Sequence, residues 1–197
     1  MKNSLYKIRF LLIAFGFFVI SGYSQAVDPG VKEPRFEEIL PLAEKGKADA
    51  QFLLGIMYQG GIGVSENDQE ALKWFRKGAE QNHATAQYWL GKMYYEGNGV
   101  PQDYNEAAQM YRKSAEQGFA DAQLSLGQLY YYGKGVPKDY VLAYMWSNLA
   151  TSKSSKRTRE QAFVWLEETV SANMSREQIA VAQRLARRWK PAKNSSP

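Results

Sequence analysis

The side chains in this sequence that could do chemistry are few, and the first of them is a lone histidine, His83. A Ser-His-Asp hydrolase would have to use it as the base, yet no G-x-S-x-G motif or triad spacing accompanies it. Its place between Asn82 and Ala84, where one sequence repeat ends and the next begins, predicts a surface turn residue. The 197 residues include no cysteine, which excludes thiol catalysis, disulfide scaffolds and zinc ribbons. A single histidine also excludes a multi-histidine metal site.

Adjacent carboxylates and paired glycines are the remaining candidates for a reactive or phosphate-binding site. Glu37–Glu38 and Glu167–Glu168 are neighbours on predicted helices, so their side chains point apart and are expected in solvent. Gly97-x-Gly99 follows a helix instead of a strand, recurs once per repeat and lacks the G-K-[ST] of a phosphate loop. These glycines therefore predict a turn, and we expect no catalytic residue, no metal and no cofactor.

The charge of the chain is unevenly distributed along its length. The formal net charge is +5, to which residues 1–26 contribute +3, residues 27–151 contribute −4 and residues 152–197 contribute +6. A mildly acidic body with basic ends differs from the evenly basic surface of a nucleic-acid binder, so no nucleic-acid partner is expected. A hydrophobic content of 45% with 23% charged residues indicates a globular protein that buries a sizeable core.

The first 26 residues have the pattern of a secretory signal peptide. Three basic residues precede an uncharged apolar run over 10–20, and the small residues Ser24 and Ala26 follow it. Cleavage is expected after Ala26, with cleavage after Ser24 as the alternative. An uncleaved anchor needs about 20 apolar residues, a length reached only if the polar stretch after the run is counted. We therefore expect a periplasmic or secreted protein without a stable membrane anchor, preceded by a flexible leader over 27–35.

The body of the chain repeats every 36 residues. Aligning residues 47–82, 83–118 and 119–154 leaves ten columns that are identical in all three copies. In the second copy, these columns hold Ala84, Ala86, Gln87, Leu90, Gly91, Tyr94, Gly97, Gly99, Val100 and Ala107. Repetition of this kind indicates a solenoid, in which each unit buries its apolar face only by stacking on its neighbours.

Each copy carries the pattern of two antiparallel helices joined by a turn. In the first copy, Ala50, Leu54 and Tyr58 recur at helical spacing, and a Gly-x-Gly turn then breaks the helix. The second helix of each copy opens near a residue of good N-cap type: Asn67, Asp103 or Asp139. Glycine inside a helix costs about 1 kcal/mol against alanine, so Gly55 and its counterparts predict the close approach of a neighbouring helix.

These residues resemble the Sel-one-like repeat family, a relative of the tetratricopeptide repeat. The family pattern A-x-A-Q-x-x-L-G-x-x-Y-x-x-G-x-G-V runs through residues 84–100. The resemblance covers about residues 36–190 and implies an all-α, right-handed αα solenoid. It also implies a partial leading repeat helix over 36–46, C-terminal capping helices over 155–190 and a disordered tail over 191–197. The third repeat departs from the pattern late, since Ser147 stands where the first repeat has Phe75.

Two capping-box patterns open the predicted capping helices. The first runs from Thr158 to Gln161 and precedes a helix with an apolar face of Ala162, Trp165, Leu166 and Val170. The second runs from Ser175 to Gln178 and precedes a helix with an apolar face of Ile179, Ala182, Leu185, Ala186 and Trp189.

In each repeat, one face of the first helix is rich in aromatic residues. It is the face opposite Ala50, Leu54 and Tyr58 and their counterparts. In tetratricopeptide relatives the equivalent face lines a concave groove, and aromatic residues are favoured at interfaces. The resemblance therefore implies a partner-binding groove of Phe52, Ile56, Gln59, Tyr88, Trp89, Lys92, Tyr95, Glu96, Leu124, Gln128, Tyr131 and Tyr132. The alternative is that Phe52, Tyr88 and Leu124 pack against the next repeat.

Basic residues cluster near the end of the chain and have two interpretations. One is a patch for an anionic partner, formed by Lys153, Lys156, Arg157, Arg159, Arg184, Arg187 and Arg188. The other is a plain solvated face, to which such charges contribute little.

The function predicted from the sequence is that of an exported, non-catalytic scaffold that binds a protein or peptide segment in its aromatic concave groove. One alternative is a cell-envelope component that binds polysaccharide or peptidoglycan, for which tyrosine rings are also suited. A second alternative, a weak hydrolase, would depend on His83.

Overall fold

The structure, a computed structural model, describes residues 35–152 and 155–192, and all regular elements in these ranges are helical. The α-helices are α1 (Phe36–Glu44), α2 (Ala48–Gly60), α3 (Asp68–Glu80), α4 (Ala84–Glu96), α5 (Tyr104–Glu116), α6 (Ala120–Tyr132), α7 (Tyr140–Ser152), α8 (Lys156–Val164) and α9 (Arg176–Arg188). A π-helical segment (Trp165–Val170) and a short 3-10 helix (Ser171–Asn173) connect α8 to α9. The predicted all-α solenoid is confirmed.

The turns inside the repeats form where the sequence predicts them. Asn67 accepts the backbone N–H groups of Gln69 and Glu70, both at 3.1 Å, and so caps α3. Asp103 caps α5 in the same way, and Asp139 accepts one backbone N–H group in the first turn of α7, that of Leu142 at 2.9 Å. Capping satisfies backbone donors that have no partner within the helix, and it sets the point at which each second helix begins.

Gly55 and its counterparts Gly91 and Gly127, which lie inside the first helices, pack against the second helix of the same repeat. A Cβ atom built on Gly91 would lie 2.8 Å from Tyr111 Cδ1 and 3.1 Å from Met110 Cβ. At Gly55 it would lie 2.5 Å from Phe75 Cε1. The predicted close approach of a neighbouring helix is confirmed, and its partner is the helix that follows in the chain.

A ladder of buried glutamines joins each unit to the one before it. Gln51, Gln87 and Gln123 donate from Nε2 to the backbone carbonyls of Ala43, Ala79 and Ala115, at 3.2 to 3.3 Å. Two further glutamines donate to the ladder, Gln81 to Gln51 at 2.6 Å and Gln117 to Gln87 at 2.7 Å. Because a buried amide must find partners, the ladder defines the register in which units stack.

The capping region differs from its prediction at its start. Helix α8 begins three residues before the expected helix, because Ser155 accepts the N–H of Thr158 and acts as N-cap. Thr158 lies inside the helix, where its buried hydroxyl donates to Asp121 Oδ1 at 2.6 Å. The capping box from Ser175 to Gln178 is present as predicted and opens α9.

The last helix closes the solenoid over α7. Ala182 and Ala186 are buried there, and Trp189 meets Trp146 edge to face with ring centroids 6.0 Å apart. Leu185 was expected on this apolar face but is 39% exposed, because only the alanine side of α9 meets α7. The chain then returns to the second repeat, where Ala192 donates its N–H to the Glu116 carbonyl at 2.8 Å. The prediction of a disordered tail over 191–197 is therefore wrong for residues 191–192, and the rest of the tail lies outside the described residues.

Several sequence predictions concern residues outside the described ranges. These are the signal peptide over 1–26, the leader over 27–35 except Arg35, and the tail after residue 192. In the ranges that are described, no helix is both long and apolar enough to cross a membrane.

Candidate functional site

His83 is a structural residue at the junction of the first two repeats. Its Nδ1 accepts the backbone N–H of Ala86 at 3.1 Å and so caps α4. Its Nε2 lies 3.0 Å from Asp49 Oδ1, and with Nδ1 as acceptor this Nε2 carries the donated proton. The imidazole also stacks on Phe52, with ring centroids 5.5 Å apart. The histidine is therefore more buried and more firmly held than a surface turn residue.

Replacing His83 by alanine is expected to lower the free energy of unfolding by about 1–2 kcal/mol, the usual effect of losing an N-cap side chain. The measurement is the urea unfolding midpoint. His83→Asn keeps a capping acceptor but loses the stacking on Phe52, so its midpoint should fall between those of the wild type and His83→Ala. A midpoint for His83→Ala equal to the wild type would contradict this role.

The paired carboxylates and the glycine turns stay outside any reactive arrangement. Glu37, Glu38, Glu167 and Glu168 are all exposed. Gly97 ends α4 in the left-handed region, with φ of 79°, as the turn prediction requires. Across the described residues, no group of three or more acidic, histidine or cysteine side chains is arranged to hold a metal ion.

Four of the predicted groove residues belong to the core. Phe52, Ile56, Trp89 and Leu124 are between 4% and 8% exposed. Phe52 and Ile56 pack with Trp89 across the junction of the first two repeats. The expectation of an open face is therefore wrong for Phe52, Ile56 and Trp89. The reason is that a first helix is enclosed by its own second helix and by the neighbouring units. Leu124 packs against Ala162 of α8, as the alternative interpretation predicts, and only 8% of it stays exposed.

Tyr88 packs in the way that the alternative interpretation predicts. Its ring lies 5.2 Å from that of Phe119, which precedes the next repeat's first helix, and 5.7 Å from that of Tyr111. Burial raises the pKa of Tyr88, and the nearby charge of Asp121 raises it further. The tyrosine is half-buried and stays neutral at neutral pH.

The tyrosines near the ends of the first helices lie beside the turns. The Tyr95 ring is 5.2 Å from that of Tyr104, and the Tyr95 hydroxyl accepts from Lys134 Nζ at 3.3 Å. This ammonium also lies over the rings of Tyr104 and Tyr132, 4.9 and 5.8 Å from their centroids. The hydrogen bond to Tyr95 raises the pKa of Lys134, so the lysine stays charged at neutral pH.

Tyr131 and Tyr132 meet the π-helical segment through Trp165. The ring centroids of Tyr131 and Tyr132 lie 5.1 and 5.7 Å from that of Trp165. The Tyr131 hydroxyl accepts from Asn173 Nδ2 at 3.1 Å, so this tyrosine helps to hold the capping region. Tyr132 is 56% exposed and is the most accessible aromatic side chain of the predicted groove.

An open groove with a volume of about 620 Å³ lies between α6 and the capping segment of α8 and the π-helix. It is lined by Tyr88, Asp121, Leu124, Ser125, Gln128, Glu160, Gln161, Val164, Trp165 and Thr169. We call this space the α6–α8 groove. Tyr88, Leu124 and Gln128 are the residues of the predicted groove that it contains.

The α6–α8 groove is open because the third repeat has a smaller residue at one aligned position. Ser125 stands where the first two repeats have the buried side chains Leu53 and Trp89. The smaller serine leaves space beside Tyr88 that those larger side chains would fill. Val164 is 50% exposed on the opposite wall, so apolar surface remains open to solvent there.

The remaining predicted groove residues lie away from this space. Lys92 pairs with Glu96 at 3.7 Å, and its ammonium lies 5.0 Å from the Trp89 ring centroid. Gln59 is half-buried at the end of α2.

The predicted basic patch is divided between two helices. Lys156, Arg157 and Arg159 are exposed on α8, whereas Arg184, Arg187 and Arg188 are exposed on α9. Both helices pack on α7. Lys153, the remaining member, lies outside the described residues. An anionic partner for these side chains stays a prediction.

Comparison with known proteins identifies the repeat. The family model described as Sel1 repeat matches residues 48–83, 84–119 and 120–155, one residue later than the units aligned from the sequence. A search of curated proteins finds no match to the chain.

Solved structures of repeat proteins are similar to this chain. A Sel1 repeat protein from Oxalobacter formigenes is 36% identical, with a TM-score of 0.58 over 66% of this chain and 97% of the other. The protective antigen c5321 of uropathogenic Escherichia coli, which displays an SLR fold, is 27% identical with a TM-score of 0.58. That alignment covers 90% of this chain and 44% of the antigen. Helicobacter pylori cysteine rich protein B is 26% identical, with a TM-score of 0.51 over 64% of this chain and 96% of the other.

Proposed function

This chain belongs to the Sel1 repeat family, and on that premise we propose that it is an exported, non-catalytic scaffold that binds a protein segment in the α6–α8 groove. Sel1 repeat proteins are generally scaffolds for protein interaction. The proposal adds the place of binding and the compartment.

The observation that carries the proposal is the open groove of about 620 Å³ with a mixed lining. Its volume is in the range of ligand-binding clefts. Val164 and Trp165 supply apolar surface, while Gln128 and Ser125 supply groups that can hydrogen-bond to a peptide backbone. Aromatic surface beside satisfied polar groups is the usual composition of a protein-binding site.

Site-specific photocrosslinking in cells that make this protein tests the proposal. A photoreactive amino acid at Val164, on the groove wall, should form a covalent adduct with a partner protein. The matched control is the same group at Phe163, which is 59% exposed on the same helix but does not line the groove. Equal crosslinking from both positions, or none from Val164, would contradict groove binding.

A blocking variant makes the same experiment sharper. Ser125→Trp restores the large side chain that Trp89 provides in the second repeat, and it should fill the groove without opening the core. The Val164 adduct should then disappear while the melting temperature stays near that of the wild type. Crosslinking of isolated cell-wall glycan in place of a protein would favour the polysaccharide alternative.

Export is the second part of the proposal, and it rests on the basic start, apolar run and small residues of the first 26 positions. Mass spectrometry of the mature protein should find an N-terminus at Val27, or at Gln25 if cleavage follows Ser24. Recovery of the intact Met1 start in a membrane fraction would contradict a cleaved signal peptide.

A further inference from the structure

The α6–α8 groove has an acidic end. Asp121 lies in the first turn of α6, and its carboxylate accepts a hydrogen bond from Thr158, two residues before Glu160 on α8. Asp121 and Glu160 therefore line the same end of the groove. Of the ten described residues that line the groove, none is basic. Lys156 lies 3.9 Å from Glu160, and Arg157 directly precedes Thr158. Both basic side chains are exposed to solvent, so they neutralise little of the acidic charge.

The opposite end of the groove leads to a positive charge. Helices α6 and α8 run in the same direction, so Gln128 and Trp165 lie at the far end from Asp121. The Trp165 ring contacts Tyr132, and the Lys134 ammonium lies 5.8 Å from the Tyr132 ring centroid. The contacts of Lys134 within the described chain are with the tyrosines Tyr95, Tyr104 and Tyr132, which leave its positive charge unneutralised.

The distance between the charged ends sets the length of a matching ligand. Asp121 and Tyr132, the tyrosine over whose ring the Lys134 ammonium lies, are eleven residues apart on α6, about 16 Å at the rise of an α-helix. An extended peptide covers this distance in about five residues. Between the two ends lies Val164, which is 50% exposed and offers apolar contact to a side chain at the middle of such a peptide.

We infer that the α6–α8 groove binds an extended protein segment with a basic side chain at one end, a large apolar side chain in the middle and a carboxylate about five residues from the base. The base would lie at Asp121 and Glu160, the apolar side chain over Val164, and the carboxylate beyond Trp165 at Lys134. The inference rests on the proposed function and adds the chemistry of the partner. Complementary charges at two separated points determine the direction in which the segment lies.

The test uses the full mature chain and a phage-displayed library of random heptapeptides. Selected peptides should carry a Lys or Arg and an Asp or Glu four to six positions apart, with a large apolar residue between them. Synthetic copies of these peptides, labelled with fluorescein, then give dissociation constants by fluorescence polarisation. Lys134→Glu should weaken binding at least tenfold, and replacing the peptide's acidic residue by lysine should restore it.

Two further variants complete the design. Asp121→Asn with Glu160→Gln keeps the hydrogen-bond acceptor for Thr158 and removes the acidic charge, so the preference for a basic residue should disappear. Lys113→Glu is the control, because Lys113 is exposed on α5 and does not line the groove. It should change affinity less than twofold.

The outcomes separate this inference from the proposed function. Peptides that lose binding in Ser125→Trp but show no charge pattern, or an affinity unchanged by Lys134→Glu, overturn the inference and leave groove binding intact. A selection that enriches no peptide, or peptides that bind Ser125→Trp normally, overturns both.

Discussion

Gly91→Val is expected to lower the free energy of unfolding by about 3 kcal/mol or more, the upper part of the range for overpacked cores. The Cβ atom alone would come within 2.8 Å of the buried Tyr111 ring and 3.1 Å of Met110 Cβ. Valine adds two methyl groups to this contact, so α4 and α5 must separate. For a domain of this size the melting temperature should fall by roughly 6–12 °C, measured by circular dichroism.

The control for this variant is Gln109→Val, at an exposed position of α5. It introduces the same branched side chain into a helix without a close neighbour, so its effect should be limited to the lower helix propensity of valine, about 0.5 kcal/mol. If Gly91→Val and Gln109→Val melted at the same temperature, close helix packing would not explain the glycine column.

Trp165→Ala is expected to weaken partner binding by about 2 kcal/mol, roughly thirtyfold in the dissociation constant. Trp165 lines the α6–α8 groove, and its ring also supports Tyr131 and Tyr132. Tryptophan side chains of this kind are the most frequent hot spots of protein interfaces. The measurement is fluorescence polarisation with a groove-binding peptide, at a temperature where circular dichroism shows the variant folded.

Phe163→Ala provides the matched comparison for Trp165→Ala. Phe163 lies at the end of α8, two residues before Trp165, and is 59% exposed, but it does not line the groove. Its removal should leave affinity within twofold of the wild type. Trp165→Phe keeps an aromatic ring in the groove and should recover most of the affinity. A Trp165→Ala protein that binds normally but melts early would show that this tryptophan only packs the capping region.

Local signals predicted most of the fold correctly. Asn67, Asp103 and Asp139 cap their helices because an N-cap needs only a short polar side chain and the backbone beside it. The glycine column identified a close helix contact because mid-helix glycine has an intrinsic cost. The prediction failed at Thr158, where Ser155 competes as the cap and a distant acceptor, Asp121, holds the threonine hydroxyl.

The candidate site was predicted only in part. Helical periodicity identified Leu124 and Gln128 because it places residues on one face of α6. Periodicity could not distinguish an open face from one covered by a neighbouring unit, so Phe52 and Ile56 were assigned to the groove although they are buried. One signal for the groove was present in the repeat alignment, where Ser125 is aligned with the larger residues Leu53 and Trp89.

The sequence by itself determined the repeat and the helix boundaries within it, because these depend on neighbouring positions in the chain. The tertiary structure alone decided where surface stays open. Asp121 and Glu160 are 39 residues apart and belong to different patterns, and only the packing of α8 beside α6 brings them to one end of a groove. Packing between repeats depends on how all the side chains of the two facing surfaces fill the space between them. The spacing of residues along the chain does not specify this packing.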